Sequence, residues 1–110
     1  MPTSETFDKI RALVRMGKIV VSAHGYDELA VDGIFFRDVV DGINNAEVVE
    51  DYPNASKGPS VLVLQGVAED QPIHVVWGIP RGASEPAVLI TAYRPDPRRW
   101  SGDFKERMPK

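Results

Sequence analysis

Ile73-His74-Val75-Val76-Trp77-Gly78-Ile79 and, after a short link, Ala87-Val88-Leu89-Ile90-Thr91-Ala92-Tyr93 are the two runs on which the fold turns. Both are rich in β-branched and aromatic residues, and the link at 80–86 is bounded by prolines and carries Gly82, so they read as strands. A connection this short joins antiparallel neighbours, because a parallel crossover needs about a dozen residues or more. Upstream, 47–52 and 60–66 have the same character and are set off by the Pro- and Gly-bearing stretches 53–59 and 67–72. Four strands in sequence, each joined to the next by a short loop, predict an antiparallel meander.

The first forty residues follow a different period. Phe7, Ile10, Leu13 and Val14 recur at helical spacing behind a Thr3-Ser4 cap, with Gly17 as a stop. After an extended piece at 19–21, Ser22 caps a second helix that runs to about Val31, with Gly33 beyond it. Its expected apolar stripe is Tyr26, Leu29 and Ala30. A third helix over 35–42 presents Phe36, Val39, Val40 and Ile43. The expected architecture is α+β: N-terminal helices packed on one face of a four-stranded antiparallel meander sheet. It forms one domain over 1–110, with only residues 1–3 and the last several loose.

Strand parity then sorts the side chains. Ile73, Val75, Trp77 and Ile79 share one face, and His74, Val76 and Gly78 the other. Keeping one face wholly apolar against the helices pairs Ile73, Val75 and Trp77 with Val88, Ile90 and Ala92. His74 then shares a face with Thr91 and Tyr93, roughly opposite Thr91. The fourth strand runs out into Arg94-Pro95-Asp96-Pro97-Arg98-Arg99-Trp100. A Tyr, an Arg, a Thr and one or two His without any Cys suit phosphate chemistry that needs no metal. Each residue also has a plainer reading: a satisfied strand histidine, an amphipathic edge tyrosine, an arginine paired to a nearby acid. His24, at the start of the second helix, faces the positive end of the helix dipole, which disfavours its protonated form. It could act as a base or could simply pack.

Composition bounds the rest. The chain has 110 residues, 43% hydrophobic and 26% charged, enough to bury about two-thirds of its unfolded surface without staples. It has no cysteine, which excludes disulfides, thiolate metal sites and cysteine nucleophiles. No metal or cofactor is expected. No apolar run could span a bilayer and no signal peptide is evident, so a cytoplasmic protein without membrane contact is expected. The net charge is −3, but it is segregated. Lys9, Arg11, Arg15 and Lys18 make the start basic, and Arg94, Arg98, Arg99, Lys105, Arg107 and Lys110 make the end basic. Between 22 and 72 many acids face only Arg37 and Lys57. A basic C-terminal tail from about residue 98 is therefore either a solvated tail or a local nucleic-acid surface.

The assembled pattern resembles the bacterial family known as domain of unknown function forty-two-fifty-eight. The resemblance is carried by Ile19-Val20-Val21-Ser22-Ala23-His24, Gly33-Ile34, Val49-Glu50-Asp51-Tyr52-Pro53 and Gly58-Pro59-Ser60. It continues through Pro72-Ile73-His74-Val75-Val76-Trp77, then Ile90-Thr91-Ala92-Tyr93-Arg94-Pro95-Asp96-Pro97 and Trp100. The resemblance implies kinship with the RelE and BrnT ribonuclease toxins, which share a fold of helices followed by an antiparallel sheet. It also implies a neighbouring zinc-finger, helix-turn-helix antitoxin. One departure stands out. Where the family carries two arginines on the helix bearing the histidine, this chain has Glu28 and Asp32, which reverses the charge there.

The function so implied is a metal-independent endoribonuclease toxin of a type II toxin–antitoxin pair, acting on RNA free or on the ribosome by 2′-hydroxyl attack. His74 or His24 would serve as general base and acid, and Arg94 would stabilise the phosphorane. Tyr93 would orient the phosphate or stack a base, and Thr91 would hold His74. Arg98, Arg99, Lys105 and Arg107 would track the RNA backbone. The alternative is a non-catalytic RNA- or protein-binding module on the same fold, which Glu28, Asp32 and the acidic middle favour. A third reading is a small-molecule binding protein using the same sheet face.

Overall fold

A computed structural model of the chain describes residues 3–66 and 69–109. Met1, Pro2 and Lys110, among the ends expected to be loose, lie outside the described residues. The elements are α1 (Glu5–Arg15), β1 (Ile19–Val21), α2 (Ala23–Val31), α3 (Phe36–Asp41), β2 (Glu47–Tyr52), β3 (Ser60–Gln65), β4 (Ile73–Gly78) and β5 (Ala87–Tyr93). A single 3-10 turn, Ile43–Asn45, links α3 to β2. The fold is α+β, as the two periodicities require.

The helix boundaries follow from their caps. Ser4 Oγ accepts from Phe7 N at 3.0 Å, starting α1, and donates to Asp51 on β2 at 2.8 Å. Ser22 Oγ accepts from Gly25 N and donates to the Ile90 carbonyl, each at 2.9 Å. One hydroxyl thus begins α2 and ties it to β5. The expected stripe on α2 is corrected. Gly25 and Leu29 face inward, whereas Tyr26 and Ala30 are exposed. A Cβ at position 25 would lie 2.7 Å from the Leu89 carbonyl oxygen and 3.0 Å from that of Ile90. The glycine therefore selects the contact face by letting the helix approach the strand backbone.

The sheet has five strands in the order β1-β5-β4-β3-β2, not four, and it is mixed, not antiparallel. β1 runs parallel to β5, with Val20 opposite Val88 and Val21 opposite Leu89. The free backbone edge of β5 is what recruits it: Ala87 N donates to the Lys18 carbonyl and Ser22 N to the Leu89 carbonyl, both at 3.0 Å. A three-residue strand shows too little alternation to reveal that pairing.

The inner face, against the helices, carries the cross-strand rows Val48–Val63–Val75–Ala92 and Asp51–Val61–Trp77–Leu89. Its apolar members pack with Phe7, Ile10, Leu13, Val14, Leu29 and Val39 in one core. Placing Val88 and Ile90 in that core is corrected. The ladder slips between Val76 and Trp77, so that Thr91 faces Val76 but Leu89 faces Trp77. Ile90 is the extra residue of a β-bulge, and the slip reverses the parity of everything before it. Ala87 and Leu89 consequently enter the core, and Val88 and Ile90 remain only partly buried.

The outer face carries the rows Glu47–Leu64–His74–Tyr93 and Glu50–Leu62–Val76–Thr91. A second slip in β2, between Val48 and Glu50, lets Glu47 and Glu50 both point outward although three positions apart. The basic C-terminal segment is not a loose tail. It folds back over this face, with Trp100 bridged to Arg107 and Met108 N donating to the Arg99 carbonyl at 2.8 Å. Leu62 and Leu64 are buried beneath it. No helix among the described residues is long and apolar enough to cross a membrane.

Candidate functional site

His74 and Tyr93 share an outer face because each sits at the same parity beyond the bulge, and they stand directly opposite one another. Thr91 is on that face too but stands opposite Val76, one row away. The expectation that Thr91 holds His74 is therefore corrected. His74 instead contacts the Tyr93 hydroxyl at Nδ1, 3.3 Å away, and the Phe104 carbonyl at Nε2, 2.8 Å away. A carbonyl can only accept, so Nε2 carries the proton and Nδ1 accepts from Tyr93.

The imidazole is fully buried. Desolvation is the largest influence on it and pushes its pKa below the ordinary histidine value, against the Phe104 carbonyl and Glu50, which raise it. Burial likewise raises the Tyr93 hydroxyl above the usual tyrosine value. The pair is thus a neutral imidazole and a neutral phenol, with both ring nitrogens engaged.

The lid over His74 is aromatic and ionic. The Trp100 ring meets the imidazole edge-on at 4.3 Å between centroids, and the Arg107 guanidinium lies 4.8 Å from the Trp100 ring centre. Arg107 grips Glu50 with two hydrogen bonds of 2.9 Å. That grip holds the Glu50 carboxyl below the usual range, with Tyr52, whose hydroxyl donates to it, adding to the effect. Lys105 forms an ion pair with Glu47. Two of the four predicted RNA contacts, Lys105 and Arg107, are therefore occupied in pinning the C-terminal segment. The sequence reading missed Glu47, Glu50 and Trp100 as their partners. The bulge in β2 that aligns the two acids leaves no periodic signal.

Arg98 and Arg99 project into solvent, their side chains 88% and 83% exposed. Asp96 holds Arg98 by hydrogen bonds of 3.2 Å to both carboxylate oxygens. Beside them Tyr93, Arg94, Trp100, Arg107 and Met108 complete a groove of about 820 Å³. Against the four arginines stand Asp96, which pairs with Arg98 and Arg99, and Glu50, which holds Arg107, so the groove keeps a net positive charge that the total for the chain conceals.

Arg94 stands at the end of β5, where its backbone N–H donates to Asp32 Oδ2 at 2.8 Å and its Nε to the Asp32 carbonyl at 3.3 Å. The acid at position 32 thus anchors the strand end to the C-terminus of α2. His24 is elsewhere, on α2, two-thirds exposed and with Nε2 3.9 Å from Glu28. The structure gathers His74, Tyr93, Arg98, Arg99 and Arg107 on the outer side, with Arg94 at the rim. It joins neither His24 nor Thr91 to that cluster by a hydrogen bond. Among the described residues no group of three or more His, Asp or Glu could hold a metal ion.

A protein-family model described as Domain of unknown function (DUF4258) matches residues 21–94. No curated protein and no solved structure matches the chain. The matched span begins at Val21, the last residue of β1, takes in α2, α3 and all the later strands, and stops before Trp100 and Arg107.

Proposed function

The chain belongs to the DUF4258 family, and within it we propose an RNA-binding protein that grips the phosphate backbone in the arginine-lined groove. The observation that carries this reading is the convergence of Arg94, Arg98 and Arg99 beside Tyr93, next to the Glu50-bound Arg107. Guanidinium forks suit phosphate oxygens better than ammonium groups do. The partial neutralisation of Arg98 by Asp96 is reversible, because solvent screens an exposed pair of this kind and leaves it weak.

A second reading is a metal-independent endoribonuclease toxin of the RelE and BrnT type, paired with a zinc-finger, helix-turn-helix antitoxin. The observation that favours it is Tyr93, which lines the groove and has the buried His74 behind its hydroxyl. In this reading a ribose 2′-hydroxyl attacks the adjacent phosphorus. Its proton passes to the Tyr93 oxygen as the Tyr93 proton passes to His74 Nδ1. The departing 5′-oxygen takes a proton from solvent, and a cyclic phosphate remains. Arg94 at the rim stabilises the phosphorane. His74 enters this step as the neutral ring through its Nδ1 lone pair, and burial makes it a weaker base than an exposed histidine. His24 has no step in this scheme.

The two readings separate in one set of assays with purified protein and a fluorescent single-stranded RNA. Binding should weaken steeply with added salt, and Arg98→Glu with Arg99→Glu should reduce it at every salt concentration. Affinity indifferent to both would remove the first reading. Cyclic-phosphate ends, unaffected by EDTA and lost in Arg94→Ala and Tyr93→Phe, would establish the second. A general-base role predicts a loss of about 100-fold or more on disabling the pair. Intact RNA, with or without ribosomes, leaves the binding module as the function.

A further inference from the structure

At the end of the sheet by α3, where β2 begins and β3 ends, lies a second groove, of about 750 Å³. Its character is opposite to that of the arginine groove. Asp38 and Asp41 on α3 line it, and among the described residues neither forms an ion pair. Glu69 adds a third carboxylate, whereas Glu47 is already neutralised by Lys105. Arg94 reaches its rim but is held there by Asp32.

Two further observations point to an occupant. Gln65, at the end of β3, lines the same groove and is almost wholly buried, only 2% exposed. Its Nε2 donates to the Val39 carbonyl at 2.8 Å, which fixes the amide orientation and leaves Oε1 without a donor. A buried acceptor left open costs about 1–3 kcal/mol unless something donates to it. At the lip Phe35 is 73% exposed, an aromatic ring that the fold does not use. Ile34 and Leu64 line the groove below it.

We infer that this groove is a docking site for a basic segment of a partner protein, with a guanidinium or ammonium group entering between Asp38 and Asp41 and reaching toward Gln65 Oε1. An apolar residue of the same segment covers Phe35. The charge complementarity names the cation, and the unused aromatic lip names a peptide in preference to a small amine. A small amine would satisfy the carboxylates and leave Phe35 bare. The groove shares Arg94 at its rim with the arginine-lined one, but Asp38, Asp41, Gln65 and Phe35 are not part of that one, so the site stands whether or not the chain binds RNA.

The test is a nitrogen-15 NMR titration of the full chain with a synthetic peptide of alternating arginine and leucine. Its control arms are the matched glutamate–leucine peptide and spermine. The expected result is shifts at the Gln65 side-chain amide and along α3 with the arginine peptide only. Asp38→Asn with Asp41→Asn should weaken that binding about tenfold, as expected for lost charge-assisted hydrogen bonds. Phe35→Ser should weaken it independently. All three positions are exposed, and a wild-type spectrum elsewhere verifies the fold of each variant. Shifts that fall outside the groove, equal affinity in the asparagine variant, or spermine binding as tightly as the peptide would each overturn the proposal.

Discussion

Trp100→Ala is the perturbation that tests most directly how the outer face is closed. The indole is 5% exposed and lies between the His74 ring and the Arg107 guanidinium. Truncating a buried tryptophan to alanine costs about 3–5 kcal/mol. The remaining anchors are weaker. The Arg107–Glu50 and Lys105–Glu47 pairs are partly solvated, so solvent screening leaves both of them weak anchors. The bond from His74 to the Phe104 carbonyl adds about 1 kcal/mol. Removing the indole therefore takes away at least as much as all that remains, and the C-terminal segment should detach while the sheet stays folded.

The readout is the His74 imidazole. In the wild type its pKa lies below the ordinary value because it is desolvated. In Trp100→Ala water reaches it, and it should titrate near its unperturbed value of about 6.5. Nitrogen-15 NMR of the ring across the acid range measures this, and hydrogen exchange at Leu62 and Leu64 reports whether the face has opened. A variant that keeps the lowered pKa and the amide protection would refute the reasoning. It would show that the ion pairs, and not the indole, hold the segment down.

The same histidine predicts a pH dependence of stability. Its folded pKa is depressed, so the stabilising effect of the neutral ring is complete above about pH 6.5 and is lost as pH falls from there through the folded-state value. Replacing it by glutamine, which keeps a donor for Phe104, should flatten that part of the curve, and urea midpoints at neutral and mildly acidic pH would check it. Parallel curves for the two proteins would count against a buried neutral imidazole. Gly25→Ala should destabilise by about 1–3 kcal/mol, because the new methyl meets the Leu89 and Ile90 carbonyls. Helix propensity alone predicts a gain of about 1 kcal/mol, so the sign of the change in a urea melt decides between them. Asp32→Ala removes the acceptor of the Arg94 amide, and that amide should exchange with solvent faster while those of β4 do not.

Local pattern by itself determined the caps at Ser4 and Ser22, the four longer strands, the shared inner face of Val75 and Trp77, and the company of His74 with Tyr93. These follow from side-chain periods of about 3.6 and 2, which are written residue by residue. Tertiary structure alone decided that Ile19–Val21 completes the sheet, since that pairing uses backbone groups that every residue possesses. It also decided the bulge at Ile90, where one unpaired residue exchanged Val88 and Ile90 for Ala87 and Leu89 in the core. Most consequential for function is the fate of the basic C-terminal segment. Lys105 and Arg107 read as free cations until Glu47 and Glu50, more than fifty residues earlier, meet them across the outer face. Charge in a sequence has a sign but no partner, and only the fold supplies the distance over which Coulomb attraction acts.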